Sequence, residues 1–562
     1  MTDAMPTNEP CGNPSLPRPG HGPTIVDRIL HASPAVHIAL LVAFCALLYL
    51  PGMTSLPLLD PEEARCALVA DEMLRSGDYV VPHLEGQLYF DKPAPYFWLV
   101  AAGTRLTGQI ELPGRLIAAL AGLAVVICVY RLGRQMFSPA AGLLAALAVA
   151  SAGEFLFLAR YYRMDMPFSA AMWAALTVFY LHDARGRQSH WSASLRFYLL
   201  AGLAVLFKGP AGVVLPVALA GLYILITRRW SSLWILLHPV GLVAFAAVAA
   251  PWYIAIACRQ GGYLQEFFVR QNFQRFAGGG HLKHEWPGIL YVPIAFAGML
   301  PWSVYLPGAI WRYLPWQQTD PATRRALTFA WIAAIGVVLV FALSSTKLIN
   351  YILPVFPALA LPIGKLLVDW ANCPTRDRTM SAGAVSLAVV VMIFAAVPLG
   401  VEIYFHKPLV LGIVVLAVAA LAVAGMVRLL AKDRRIDSVL AGAMIFALTF
   451  AALAMGPASY IYDIQSTRQL AMEFRKAPSD TLIFVSADEE SFLLYSQARR
   501  WQVINHRDIS KLSAVMRPEL RPFCLVGHDV VKTVLANVPE AYLVRDYDSY
   551  AWIGCKQASN KR

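Results

Sequence analysis

The chain has 562 residues, of which 58% are hydrophobic and only 15% charged, whereas a soluble domain carries roughly 25% charged and 45–50% apolar residues. That balance excludes a soluble globular protein, and the long uncharged runs make this an integral membrane protein. A net charge of +12 would suggest nucleic acid in a soluble chain, but most of the basic residues lie in short loops between apolar runs, where they orient a protein in the bilayer.

Residues 1–34 are polar and rich in Pro and Gly, which predicts a disordered cytoplasmic tail with no cleavable signal peptide. Apolar runs of spanning length follow near 35–55, 113–131, 139–159, 165–182, 196–207, 210–227, 233–257, 287–310, 326–344, 350–370, 381–401, 408–428 and 437–458, thirteen in all. A further run, 93–106, is short and contains Arg105. If it crossed the membrane, the Arg- and Lys-rich loops after it would no longer share a side with the N-terminal tail. It therefore reads as a surface helix, with the N-terminus in the cytoplasm and the C-terminus outside. Lys208-Gly209-Pro210 separates two short runs, and the charge pattern predicts a hairpin there. Beyond residue 460 the composition changes. Segments 481–486, 500–505, 522–527 and 550–556 predict strands, with helices at 487–498 and 528–537, a small α/β domain that reads as a lid or a recognition module. The expected layout is a tail (1–34), an all-α membrane domain (35–458) whose first outer loop is 56–112, and an outer α/β domain (460–562). Eight cysteines without a CxxC pair indicate neither a zinc ribbon nor a disulfide framework; Cys524 and Cys555 could pair in an oxidising compartment, but nothing requires it.

The outer loops should be poor in Lys and Arg, yet they hold Arg65, Arg75, Lys92, Arg160, Arg163, Lys208, Arg259, Arg270, Arg275, Lys283 and Lys347. Cations gathered there against the topological bias suit an anionic group, in a membrane a lipid phosphate. Carboxylates accompany them. Asp60-Pro61-Glu62-Glu63 predicts a helix start with Asp60 as N-cap and Pro61 at the first helical position. Glu62 and Glu63 lie about 100° apart on that helix, so only one can face a given cavity. Asp165 heads a predicted span, and Tyr89, Asp91 and Lys92 precede the surface helix. Polar groups are nearly absent from the middle of the spans, where a transporter or flippase would need them. An enzyme acting at the outer surface fits better. His83, Glu85, His281, His284 and Glu285 include zinc-type ligands on outer loops, although HLKHE is no zincin pattern and solvated loop residues are the plainer reading.

The first loop, with its acidic pair and SGDYVVPHLEGQLYFDKP, resembles that of the polyprenyl-phosphate-dependent glycosyltransferases of the GT-C class, above all the bacterial 4-amino-4-deoxy-L-arabinose transferases that modify lipid A. Similar stretches follow in order at RYYRMDMPF (160–168), LFKGPAGVVLP (206–216), FFVRQNFQRFAGGGHLKHEWPGILYVP (267–293), GMLPWSVYLPGA (298–309) and SSTKLINYILPVFPALA (344–360). The resemblance implies a GT-C fold and transfer of aminoarabinose from undecaprenyl phosphate to a lipid A phosphate at the periplasmic face of the inner membrane. That is lipopolysaccharide chemistry linked to polymyxin resistance. It implies Glu62, Glu63 and Asp165 as catalytic acids, with Glu62 one methylene longer than the family's leading Asp. It implies Lys92, Arg65, Tyr89, Arg275, Lys208, Lys347 and Tyr351 as contacts for lipid phosphate and substrate. No cofactor is required on this reading, but zinc or magnesium could be held by Glu85, His281 and His284. A related transferase using mannosyl or another lipid-linked sugar, or a protein hydroxyl as acceptor, shares the first loop and stays open, as does a lipid flippase.

Overall fold

The structure, a computed structural model, describes residues 25–186, 189–277, 287–373, 378–456, 458–464, 466–476, 482–485, 490–497, 501–504, 512, 516, 523–539, 541–546 and 550–555. Each of the thirteen apolar runs falls on helix, from Pro34–Tyr49 through Glu111–Met136 and Asp165–Ala184 to Val410–Ala431 and Arg435–Met455. Among the described residues, seven helices are long and apolar enough to cross a membrane, and the pair Gly288–Gly298 and Trp302–Arg312, bent by 106°, makes an eighth. Pro34–Tyr49, Pro139–Ala150 and Ala211–Thr227 are apolar but shorter. Several expected continuous spans are interrupted, and two of the breaks meet. The run at 287–310 bends, and the run at 139–159 stops at Ala150 and restarts as Gly153–Leu158. The breaks face each other, because the Gly153 amide donates to the Leu300 carbonyl at 2.7 Å.

The expected hairpin at Lys208-Gly209-Pro210 is present. A Cβ on Gly212 would lie 2.3 Å from the Val205 nitrogen, so Trp191–Lys208 and Ala211–Thr227 approach too closely there for any side chain. The run at 93–106 is the 13-residue helix Pro95–Thr107, which buries Tyr96, Phe97, Val100 and Ala101 and exposes Trp98, Leu99 and Leu106.

In the first loop, Glu62–Ser76 forms a helix closed by Gly77 in the left-handed region (φ 73°). A two-stranded hairpin follows, His83–Leu84 against Gln87–Leu88, turning through Glu85 and Gly86 with φ of 56° and 75°, the geometry of a primed two-residue turn. The Glu72 carboxylate accepts the Gly86 amide at 3.2 Å and ties the hairpin to the helix. One expectation fails. Asp60 is not the N-cap, a position taken by Pro61 without a side-chain cap, and its carboxylate instead accepts the Ser491 amide at 2.8 Å and the Ser491 hydroxyl.

The C-terminal domain is a five-stranded mixed sheet in the order Gln502–Ile504, Leu482–Val485, Phe523–Gly527, Tyr550–Cys555, Ala541–Asp546. Its first three strands are parallel and its last two antiparallel. The edge strand Ala541–Asp546 was not expected from the sequence. Cys524 and Cys555 are free thiols. One apolar cluster runs from Leu58, Ala67 and Met73 in the first loop to Leu470, Phe492 and Leu525, so this domain shares a core with the loop beneath it.

Candidate active site at the first loop

The two adjacent glutamates have different surroundings. Glu63 is fully buried, and its two oxygens accept from Arg115 at 2.7 and 3.2 Å, from the Leu59 amide at 3.0 Å and from the Tyr162 amide at 2.9 Å. Arg115 spends its remaining donors on the carbonyls of Met53, Leu56 and Pro57. With four donors filling its lone pairs, Glu63 anchors the loop to the helix Glu111–Met136 and has no face left for a substrate. Glu62 is one-third exposed and, among the described residues, makes only loose ion contacts, 3.4 Å to Arg163 and 3.8 Å to Arg65.

Asp165 is the centre of the charged cluster. It is 2% exposed, and its Oδ1 accepts from Lys208 at 2.5 Å and from the Asn350 amide at 2.8 Å. The Arg163 Nε stands 2.8 Å from its Oδ2, off hydrogen-bond alignment. Helix ends make this convergence. Asp165 starts Asp165–Ala184, Lys208 ends Trp191–Lys208, and Asn350 lies in the turn before Val355–Asn372. That turn is pinned by Trp173, which donates to the Pro354 carbonyl at 3.0 Å, and by Tyr291, which donates to the Leu348 carbonyl at 2.9 Å. The Lys208 ammonium also lies 4.8 Å from the centre of the Tyr351 ring and 5.2 Å from that of Phe168, which favours its charge. Arg163 joins the two acids, Asp165 on one side and Glu62 on the other. Burial works against its charge, but Asp165 and Glu62 outweigh that and hold the guanidinium above its ordinary value.

The other cations sort into two groups. Arg75 pairs with Asp71, Arg259 with Asp78 and Arg270 with Glu266, while Arg160 donates to the carbonyls of Leu48, Tyr49 and Pro51. These are ordinary structural partners. Lys92 is mostly buried and, among the described residues, holds only its neighbour Asp91, at 2.6 Å. Lys347 is 8% exposed and has no hydrogen-bond or ion-pair partner among the described residues. Arg275 begins the short helix Arg275–Ala277, which is tied to the Lys347 turn where the Ser345 amide donates to the Phe276 carbonyl at 3.1 Å. Tyr89 packs edge-on against Phe97, and burial, then Asp91, raises its phenol well above the usual range. Beside it opens a cavity of about 500 Å³ lined in part by Tyr89, Asp91, Gln265, Glu266 and Gln271. Arg65 turns away from the cluster. Its Nε and Nη2 both reach Glu490 Oε1, at 3.0 and 2.6 Å.

Of the residues expected from the sequence, Glu62, Asp165 and Lys208 meet in one linked cluster beside Tyr351, while Glu63 stands behind it. Arg163, Asn350 and Glu490 were missed as site residues. Arg163 had been noted only as one of the cations on the outer loops, and Asn350 could have been suspected from its place beside Tyr351. Of the expected metal set, His281 and His284 lie outside the described residues. Glu85 is half-buried, with its carboxyl pushed up by burial and by Glu490 and Glu72. Among the described residues no three His, Cys, Asp or Glu side chains are grouped as metal ligands.

Residues 91–254 match the dolichyl-phosphate-mannose-protein mannosyltransferase family. Over 403 residues the chain is 31% identical to the undecaprenyl phosphate-alpha-4-amino-4-deoxy-L-arabinose arabinosyl transferase of Pseudomonas aeruginosa strain LESB58, covering 69% of this chain and 70% of that one. The enzyme of the same name from Aeromonas salmonicida is 31% identical over 334 residues, 58% of this chain and 59% of its own. The crystal structure of ArnT from Cupriavidus metallidurans bound to undecaprenyl phosphate superposes with a TM-score of 0.75 at 23% identity, covering 93% of this chain and 98% of that one.

Proposed function

The chain belongs to the family of undecaprenyl phosphate-alpha-4-amino-4-deoxy-L-arabinose arabinosyl transferases, and from that membership we propose that it moves 4-amino-4-deoxy-L-arabinose from undecaprenyl phosphate to a phosphate of lipid A at the periplasmic face of the inner membrane. It is a multi-pass membrane glycosyltransferase of GT-C fold. We read its N-terminus as cytoplasmic, its thirteen helical runs as spans and its C-terminal sheet as periplasmic, a reading supported by the Lys and Arg content of the loops.

The observation that carries the proposal is the charged cluster built where several helices end under the first loop. The donor is a glycosyl phosphodiester. Its sugar carbon–oxygen bond breaks through an oxocarbenium-like state, and the departing group is a lipid phosphate whose negative charge grows as the bond opens. Preorganised cations that meet that charge lower the barrier. Lys92 is the first of them, helped by Arg275 and Lys347, with Tyr89 and Tyr351 toward the sugar. An acceptor phosphate is already anionic near neutral pH and needs little help from a base. Glu62, the loosely held acid, is the group left to face the amino sugar and to stabilise its developing positive charge. Asp165, held at one oxygen by Lys208 and Asn350 and facing the Arg163 charge with the other, orients that constellation. Glu63 anchors the loop. No metal is needed in this scheme.

Replacing Lys92 by Ala should abolish transfer while the protein still accumulates, folded, in the membrane. Near-normal turnover by that variant contradicts the assignment. The match of residues 91–254 to protein mannosyltransferases supports one second reading, a related lipid-linked sugar or a protein hydroxyl as acceptor. In that case Glu62 or Asp165 would have to act as a true base, and product analysis separates the two.

A further inference from the structure

The C-terminal domain does more than cover the first loop. Its helix Glu490–Ser496 is buried along its whole length and meets residues 58–65 through polar contacts made one after another. The Leu58 amide donates to the Tyr495 hydroxyl at 2.9 Å. Asp60 receives the Ser491 amide at 2.8 Å, and the Thr467 amide in turn donates to the Ser491 hydroxyl at 3.0 Å. Arg65 gives Nε and Nη2 to one oxygen of Glu490, a residue only 5% exposed.

Arg65 has a competing partner on its own helix. Glu62 stands three residues earlier on the same face, the spacing at which an Arg and a Glu ordinarily close an ion pair. Here that pair is stretched: Arg65 Nη1 is 3.8 Å from Glu62, while Nη2 is 2.6 Å from Glu490. A charge-assisted contact through two guanidinium nitrogens to a buried carboxylate is stronger than a one-third exposed pair between helical neighbours.

We propose that Glu490 is a positioning residue of the transferase, which draws Arg65 away from Glu62 and so keeps the Glu62 carboxylate available to the sugar. The C-terminal domain is then a fixed wall of the site, seated by the Asp60–Ser491 contact, and not a lid that lifts during turnover. The proposal rests on the transferase reading above.

The test is Glu490→Gln in the full-length purified protein, assayed with a lipid-linked aminoarabinose donor and lipid A. Glutamine keeps the shape and an acceptor oxygen but loses the charge that competes for Arg65. Turnover should fall roughly tenfold to a hundredfold, the range seen when a reacting group is misplaced by about 1 Å. The donor KM, the binding of undecaprenyl phosphate alone and the thermal midpoint should stay close to wild type, and Glu490→Asp should recover part of the loss. A disulfide formed in Asp60→Cys/Ser491→Cys should leave turnover within about threefold of the reduced protein, because the domain need not move. Unchanged turnover in Glu490→Gln overturns the proposal. So does a loss matched by weaker lipid binding or lower stability, which a merely structural contact would give, and so does inactivation by the disulfide. If the wild type itself transfers no sugar, the substrate reading fails and takes this inference with it. An active wild type with a normal Glu490→Gln variant overturns the inference alone.

Discussion

Glu62 and Glu63 are neighbours of the same chemistry, and the structure predicts opposite consequences for removing them. Glu63→Ala takes its only carboxylate among the described residues from the buried Arg115 and leaves the Leu59 and Tyr162 amides without their acceptor. Arg115 keeps its three carbonyl contacts, but a carbonyl does not neutralise a cation that is 2% exposed. Removing one partner of such a pair costs about 3–5 kcal/mol, and the orphaned amides add to it. Against a total stability of about 5–15 kcal/mol for a typical domain, that is a large fraction. Glu63→Ala should therefore reach the membrane at a reduced level, and what is purified should unfold at lower SDS in a denaturant titration. Glu62→Gln loses only two loose ion contacts at a one-third exposed site. It should unfold like wild type and fail to transfer sugar. A Glu63→Ala protein with wild-type stability and no activity would refute this division of roles, as would a destabilised Glu62→Gln.

Asp165→Asn keeps the contact to Lys208 but removes the charge that Lys208 and Arg163 share, so both cations gain freedom to close on Glu62. Transfer should fall at least tenfold, and the membrane level should fall with it because the buried Lys208 loses its carboxylate, as membrane immunoblots and turnover would show. For Glu85, burial and the nearby Glu490 and Glu72 raise the carboxyl in the folded state. Folding therefore takes up protons, and the ionised form costs stability as pH rises from the unfolded value of about 4.3 through the raised one. Glu85→Gln should be more stable than wild type above that window and equal to it near pH 4, measured by thermal unfolding in detergent; an equal difference at all pH values would refute the sign. Treating the purified enzyme with a chelator should leave turnover within about twofold of untreated enzyme, and a loss restored by zinc or magnesium would show that a divalent ion takes part.

Helical runs were legible because apolar length is a local property: residues 410–431 or 321–343 announce themselves without their neighbours. The breaks were not, since the restart at Gly153 depends on the Leu300 carbonyl and on the bend beside it. The helix rule that made Asp60 an N-cap is also local, and it lost to a serine 431 residues away in the chain. Periodicity could separate Glu62 from Glu63 by angle but could not say which faced inward, because Arg115 lies 52 residues on and nothing in the first loop points to it. Cations in loops that the charge pattern places outside drew attention to Lys92 and Lys208 and equally to Arg160, whose guanidinium serves helix-end carbonyls. The edge strand Ala541–Asp546 has one paired side and a half-polar sequence, so it lacks the apolar run that marked its neighbours.

The most direct test is mass spectrometry of lipid A from cells that lack their own aminoarabinose transferase but make the donor lipid, with and without this protein. The account predicts a gain of one aminopentose per modified phosphate, absent in Lys92→Ala, with polymyxin resistance rising in parallel. Unmodified lipid A, with the protein present in the membrane and the donor available, would contradict it and move the substrate to another lipid-linked sugar or another acceptor.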